Sequence, residues 1–130
     1  MAKRLMLDTN IYDLIVARPG FAARLHHAVR AGHVEILRTR VQDEEIARIP
    51  DAAKRAAMRS VPGRRIPTVS PAPGPWPAED DMIAMTAAAG ADVLVTEDKE
   101  LRARVEATTP DLDVWGFDQL VGFIDALPQA

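Results

Sequence analysis

A doubly wound α/β fold around a parallel sheet is what this sequence predicts, and three observations carry the prediction. Short apolar runs without alternation, such as Leu5-Met6-Leu7 and Val93-Leu94-Val95, suit central strands covered on both faces. Each is followed by a segment of helical periodicity, so strands and helices alternate along the chain. No two strands are joined by a hairpin signal, which leaves right-handed crossovers as the connection.

Composition sets the bounds. At 130 residues and 48 % hydrophobic, with alanine supplying much of that share, the chain is expected to form one domain spanning residues 1–130. Cysteine is absent, which excludes disulfides and thiolate metal sites and leaves oxygen or histidine to hold any metal. A formal charge of -3 gives no global attraction to nucleic acid. No run approaches the ~18 apolar residues of a membrane span. Met1-Ala2-Lys3-Arg4 leads straight into a strand instead of a signal peptide's apolar core, so a cytoplasmic location is expected.

The elements follow in order. Arg4–Leu7 is the first strand, and Asp8-Thr9-Asn10 supplies N-capping side chains for a helix over Ile11–Val16. Arg18-Pro19-Gly20 breaks the chain before an amphipathic helix over Phe21–Arg30, with Phe21, Leu25 and Val29 on one face and Ala31-Gly32 as its stop. His26, His27 and His33 fall on a helix surface and a loop, without the spacing of metal ligands. Val34–Leu37 is the second strand, Val41–Ile49 a helix stopped by Pro50, and Asp51 the N-cap of a helix to Arg59. Ile66–Val69 reads as an edge strand, where Pro67 is tolerated, and Ser70–Pro77 as an extended connector. An Ala- and Met-rich helix over Asp80–Ala89 stops at Gly90 and leads to the strand Val93–Val95. A helix over Lys99–Ala107, a strand over Leu112–Gly116 and a terminal helix capped by Asp118 and running through Phe123 and Leu127 complete the chain.

Carboxylates recur where chemistry is usually done. Asp8 and Asp98 each come directly after a strand, and in a parallel sheet ligands bind just beyond the strands' carboxyl ends. Glu79, Asp80 and Asp81 in a helix's first turn need no function, since each interacts with the macrodipole by ~0.3–1 kcal/mol. Asp80 differs in being in phase with Ile83, Ala84 and Ala87, the expected packed face, whereas Glu79 and Asp81 turn aside. Glu45 lies four residues from both Val41 and Ile49, beside the buried stripe, while Glu44 turns with Arg48 toward solvent. Such acids repel one another and raise pKa values unless a cation neutralises them. Oxygen-only ligands favour Mg²⁺ or Mn²⁺ over Zn²⁺. From Arg38 to Arg65 bases outnumber acids, either as a solvated face or as a phosphate-tracking rim, with Arg38, Arg40 and Arg48 as the rim candidates.

Four motifs carry a resemblance. Leu7-Asp8-Thr9-Asn10 after an apolar strand, the run from Asp43 to Ile49, the run from Asp80 to Ala87 with its Asp, two residues, then Ile-Ala-x-Thr-Ala, and Leu94-Val95-Thr96-Glu97-Asp98-Lys99 stand in order along nearly the whole chain. Together they resemble the PIN-domain ribonucleases, especially the small VapC-type toxins of bacterial toxin–antitoxin pairs. The resemblance implies a three-layer α/β/α sandwich with a mostly parallel central sheet, Mg²⁺ or Mn²⁺, and cleavage of single-stranded RNA. It implies Asp8, Glu45, Asp80 and Asp98 as catalytic and metal-binding residues, with Thr9, Asn10 and Thr96 in support. A small antitoxin and a second copy of the chain are the partners it implies. Glu97 stands where Asn is common in the family, and the Glu44-Glu45 and Asp80-Asp81 doublets leave a one-residue ambiguity; the Ile-Ala-x-Thr-Ala register selects Asp80.

Two other classes also gather acids at strand ends or on such a fold. A Mg²⁺-dependent phosphatase of the haloacid-dehalogenase type wants a second Asp two residues after the first, where Asn10 stands, and a receiver-like phosphoacceptor wants a central Asp and a late Lys that this chain does not place. A non-catalytic PIN-like binding module has no need of the four acids.

Overall fold

A computed structural model of the chain describes residues 2–67 and 78–128, the side chains of 78–82 excepted. Its elements run β1 (Lys3–Leu7), α1 (Thr9–Val16), α2 (Pro19–Arg30), β2 (Val34–Arg38), α3 (Arg40–Ala47), α4 (Ala52–Arg59), β3 (Arg64–Arg65), α5 (Ala78–Gly90), β4 (Val93–Val95), α6 (Lys99–Thr108), β5 (Asp113–Trp115) and α7 (Phe117–Asp125). The five strands form one sheet in the order β3-β2-β1-β4-β5, every neighbouring pair parallel. After β1 the chain builds outward through β2 to β3, then returns to β1's other side for β4 and β5. The order therefore reverses between β1 and β4, which makes that gap the sheet's topological switch point.

Alternate side chains on each central strand enter opposite cores, which is why the runs carry no polar positions. Leu5 and Leu7 of β1 and Val93 and Val95 of β4 pack with α1, α2, α4 and α7, around Ile11, Tyr12, Phe21, Leu25, Met58 and Phe117. Met6 and Leu94 enter the other core with Ile83 and Ala87 of α5 and Leu101 and Val105 of α6. The result is the expected three-layer α/β/α sandwich. Helix α3 belongs to neither layer alone: Val41 enters one core and Ile46 the other, so the helix lies across the sheet's carboxyl edge. Leu120 and Ile124 of α7 are buried, and Val121, Phe123 and Leu127 pack partly buried against the same core.

Local signals account for most boundaries. Asp51 caps α4 by accepting the Lys54 N–H at 3.1 Å, as its position predicts. Gly32 takes φ +81°, a conformation open to glycine, as the chain turns from α2 into β2. Three expectations need correction. The edge strand is Arg64–Arg65, not Ile66–Val69: Leu37 and Arg38 offer register partners only to those two residues, and the Ile66 N–H closes the pairing on the Arg38 carbonyl at 2.8 Å. Thr68, Val69 and the connector Ser70–Pro77 lie outside the described residues. Helix α7 begins at Phe117, and its entry is fastened by the Gly116 N–H donating to Gln119 Oε1 at 2.8 Å, so Asp118 sits inside the first turn instead of capping it. Helix α1 begins at Thr9, which makes Asp8 its N-cap and places Asn10 within the helix.

Candidate active site

Asp8 leaves β1 with extended backbone at φ -65° and ψ 155°, and its Oδ1 accepts the Thr9 N–H at 2.8 Å. Its own N–H donates to the Val95 carbonyl at 2.9 Å, which joins the end of β1 to the end of β4 at the switch point. Asp8 Oδ2 accepts the Thr96 hydroxyl at 2.7 Å and the Asn10 side-chain amide at 3.3 Å. The buried Thr96 oxygen in turn accepts the Asp98 N–H at 3.0 Å. Asp98 then caps α6, its Oδ1 taking the N–H groups of Glu100 and Leu101 at 2.9 and 3.2 Å. One hydroxyl thus bridges the two turns that carry Asp8 and Asp98.

Electrostatics at this junction are unbalanced. Asp8 is 9 % exposed, and burial raises its pKa above the ordinary carboxylate value; the Thr96 hydroxyl and the Thr9 N–H pull it back, and the charge of Asp98 pushes it up again. The donors holding Asp8 are neutral, and among the described residues no Lys or Arg forms an ion pair with Asp8 or Asp98. Beside them the Thr9 hydroxyl is buried without a hydrogen-bond partner among the described residues. Two nearby carboxylates, an orphaned hydroxyl and oxygen-only donors are a set that fits a hard divalent cation.

The other acids named from sequence are placed less completely. Glu45 is half-buried on α3, and the neighbouring Glu44 is exposed and pairs with Arg40 at 3.5 Å, as the helical phase predicts. Asp80 lies in the first turn of α5, ahead of the buried Ile83, Ala84 and Ala87, and its side chain is outside those described. Among the described residues no three His, Cys, Asp or Glu side chains gather closely enough to hold a metal ion on their own.

Two buried polar residues were not singled out by sequence reasoning. Thr39 and Gln42 are both fully buried at the start of α3. Gln42 Oε1 accepts the Thr39 N–H at 3.0 Å and the Thr39 hydroxyl, while Gln42 Nε2 donates to the Leu7 carbonyl at 3.2 Å. The signal that finds them is the capping-box spacing Thr-x-x-Gln, which a search confined to carboxylates passes over.

The basic candidates divide. Arg38 is half-buried, with Nε 2.7 Å from Asp43 Oδ1 in an ion pair too poorly aligned to count as a hydrogen bond. Arg65 approaches the other oxygen of Asp43 at 3.6 Å. Arg40 and Arg48 are exposed on α3 and at its end. A cavity of about 370 Å³ opens beside this group, lined by Arg38, Asp43, Ile46, Met58 and Arg59.

No protein-family model matches the sequence, and no curated protein matches it significantly. Solved structures do match. One is the PIN domain endonuclease Utp24, aligned over 87 % of this chain and 84 % of that one with a TM-score of 0.56 and 17 % identity. The fold is PIN-like. Within that PIN-like fold, Asp8 and the Thr96–Asp98 turn occupy the switch point that the strand order alone identifies as the ligand-binding edge.

Proposed function

We propose that this protein is a Mg²⁺- or Mn²⁺-dependent endoribonuclease, with residues 1–130 forming a single PIN-like domain. The observation that carries the reading is the Thr96 hydroxyl bond to Asp8, which draws two acid-bearing strand ends together without a protein cation to neutralise them. Asp8 and Asp98, with Glu45 and Asp80 from α3 and α5, would hold the metal. When bound, a divalent cation polarises a phosphodiester and lowers the pKa of water near it.

The chain's own residues do the rest. Thr96 orients Asp8 through Oδ2 and, because it donates to that oxygen, favours the ionised carboxylate that a cation needs. The hydrogen bonds that Asp98 accepts fall on Oδ1, so capping α6 fixes the side chain while Oδ2 remains for a ligand. The Asn10 amide donates to the same Asp8 oxygen as the Thr96 hydroxyl and helps to hold it, and the buried Thr9 hydroxyl, without a partner among the described residues, would donate to a phosphate oxygen or to water. Glu45 would complete the set of oxygen donors around the cation or orient a water beside it. An acidic centre repels RNA, so basic residues must position the backbone around it. Arg40 and Arg48, both exposed, suit that role better than the half-buried Arg38.

The run of four motifs supports the finer reading of a VapC-type toxin, acting in the cytoplasm, restrained by a small antitoxin and able to form a homodimer. No helix among the described residues is long and apolar enough to cross a membrane. The decisive experiment incubates purified protein with single-stranded RNA in Mg²⁺, Mn²⁺ or EDTA, beside Asp8→Asn and Asp98→Asn. Cleavage should require metal and both acids; variants that cut as fast as wild type would sink the reading.

A further inference from the structure

Helix α3 spans eight residues, too few to hold a helix by propensity alone, so tertiary contacts decide where it sits. Its apolar anchors, Val41 and Ile46, enter different cores and fix the helix across the sheet edge. Apolar contacts are non-directional and leave a sliding freedom along that edge. What removes the freedom is polar. The Gln42 amide donates to the Leu7 carbonyl at 3.2 Å and accepts the Thr39 N–H at 3.0 Å, and Thr39 Oγ1 accepts the Val41 N–H at 3.2 Å. Leu7 is the last residue of β1, directly before Asp8, and Glu45 follows Gln42 by three residues on the same side of α3. One fully buried side chain therefore connects the backbone that carries Asp8 to the helix that carries Glu45.

Resting on the nuclease reading, we infer that Gln42 is a positioning residue: it sets the separation of Glu45 from Asp8, and through it the affinity for the divalent cation. Fully buried, Gln42 would touch neither cation nor substrate. Hydrogen bonds to a fixed carbonyl and a fixed N–H impose distance and direction together, which a leucine of similar volume cannot do. Residues that orient metal ligands in this indirect way typically change affinity by about 10- to 100-fold when lost.

The test titrates Mn²⁺ into wild type, Gln42→Leu, Gln42→Asn, Glu45→Gln and the Gln42→Leu/Glu45→Gln double variant. Free Mn²⁺ is read by electron paramagnetic resonance, with thermal melts and RNA cleavage kinetics in parallel. Folded Gln42 variants should bind Mn²⁺ about 10- to 100-fold more weakly, with kcat lowered and KM for RNA little changed. The double variant should bind no more weakly than Glu45→Gln, because Gln42 acts through Glu45. Wild-type affinity in a folded Gln42 variant overturns the inference and leaves the nuclease reading standing, as do losses at Gln42 and Glu45 that simply add. Failure of both Gln42 variants to fold assigns the residue a purely structural role and also overturns it. Absence of Mn²⁺ binding by wild type removes the nuclease reading and this inference together.

Discussion

Two acids at the same edge of the sheet are kept in opposite ways. Asp43 on α3 lies between Arg38 at 2.7 Å and Arg65 at 3.6 Å, its charge matched by the protein itself. Asp8, at the switch point, is more deeply buried, yet it is held by a hydroxyl, a backbone N–H and an amide, and it feels the repulsion of Asp98. Burying a carboxylate without a counter-charge is unfavourable, and on the proposed nuclease reading a divalent cation would supply that charge. The difference separates an acid whose charge the protein matches from one whose charge it leaves unmatched.

The largest expected effect breaks that contrast directly. Asp8→Asn should lower metal-dependent RNA cleavage by at least ~100-fold, the consequence of losing a few kcal/mol of charge stabilisation. Asp43→Asn should change cleavage by less than ~10-fold but lower stability by about 1–2 kcal/mol, because it leaves the half-buried Arg38 without its partner. Cleavage rates and urea midpoints for the two variants would show whether the roles are distinct; equal effects on both would erase the comparison.

Thr96→Val comes next. It keeps the shape but removes the donor to Asp8 and the acceptor for the Asp98 N–H, so stability should fall by about 1–3 kcal/mol. Cleavage should fall by about 10- to 100-fold. A stability loss with undiminished kcat would assign the hydroxyl to the fold alone.

The pH dependence of the metal-free protein is a gentler probe. Folding raises the pKa of Asp8, so the folded state holds that proton more tightly than the unfolded chain does. Ionised Asp8 therefore costs stability at neutral pH, and the cost disappears as pH falls through the raised folded value toward the ordinary carboxylate range. Relative to Asp8→Asn, wild type should gain stability on going from neutral to mildly acidic pH, and Mn²⁺ added at neutral pH should recover the same loss. Parallel urea titrations of the two proteins would expose a wrong sign. The smallest effect is reserved for a solvated pair: Glu44→Ala breaks only the exposed contact with Arg40 and should change stability by less than ~0.5 kcal/mol.

How much of this was legible depends on what each element rests on. The central strands could be read because a run such as Leu5-Met6-Leu7 feeds two cores at once and excludes polar residues. Asp8 and Asp98 could be singled out because each lies just beyond such a run, Asp8 at once and Asp98 after Thr96 and Glu97. The two-residue β3 could not, since Arg64 and Arg65 are exposed and their pairing follows from β2's register instead of from composition. The entry to α7 was misread at Asp118 because a backbone N–H and the Gln119 side chain form the fastening. Thr96 was named only in support; its hydroxyl joins residues 88 positions apart, a relation that no local pattern encodes. Thr39 and Gln42 were readable as a capping box, but the reach of Gln42 to Leu7 depends on α3 crossing the sheet edge.

The strand order also has a temporal meaning. β1 is made before the four strands that share its sheet and lies in the middle of that sheet, and it receives β4 only after α5 has been synthesised. A ribosome elongating this chain thus carries Asp8 without the Thr96 hydroxyl or the Asp98 carboxylate until the 88 positions from Asp8 to Thr96 have been added. The bridged acid pair comes into being only once β4 and the turn after it have been made.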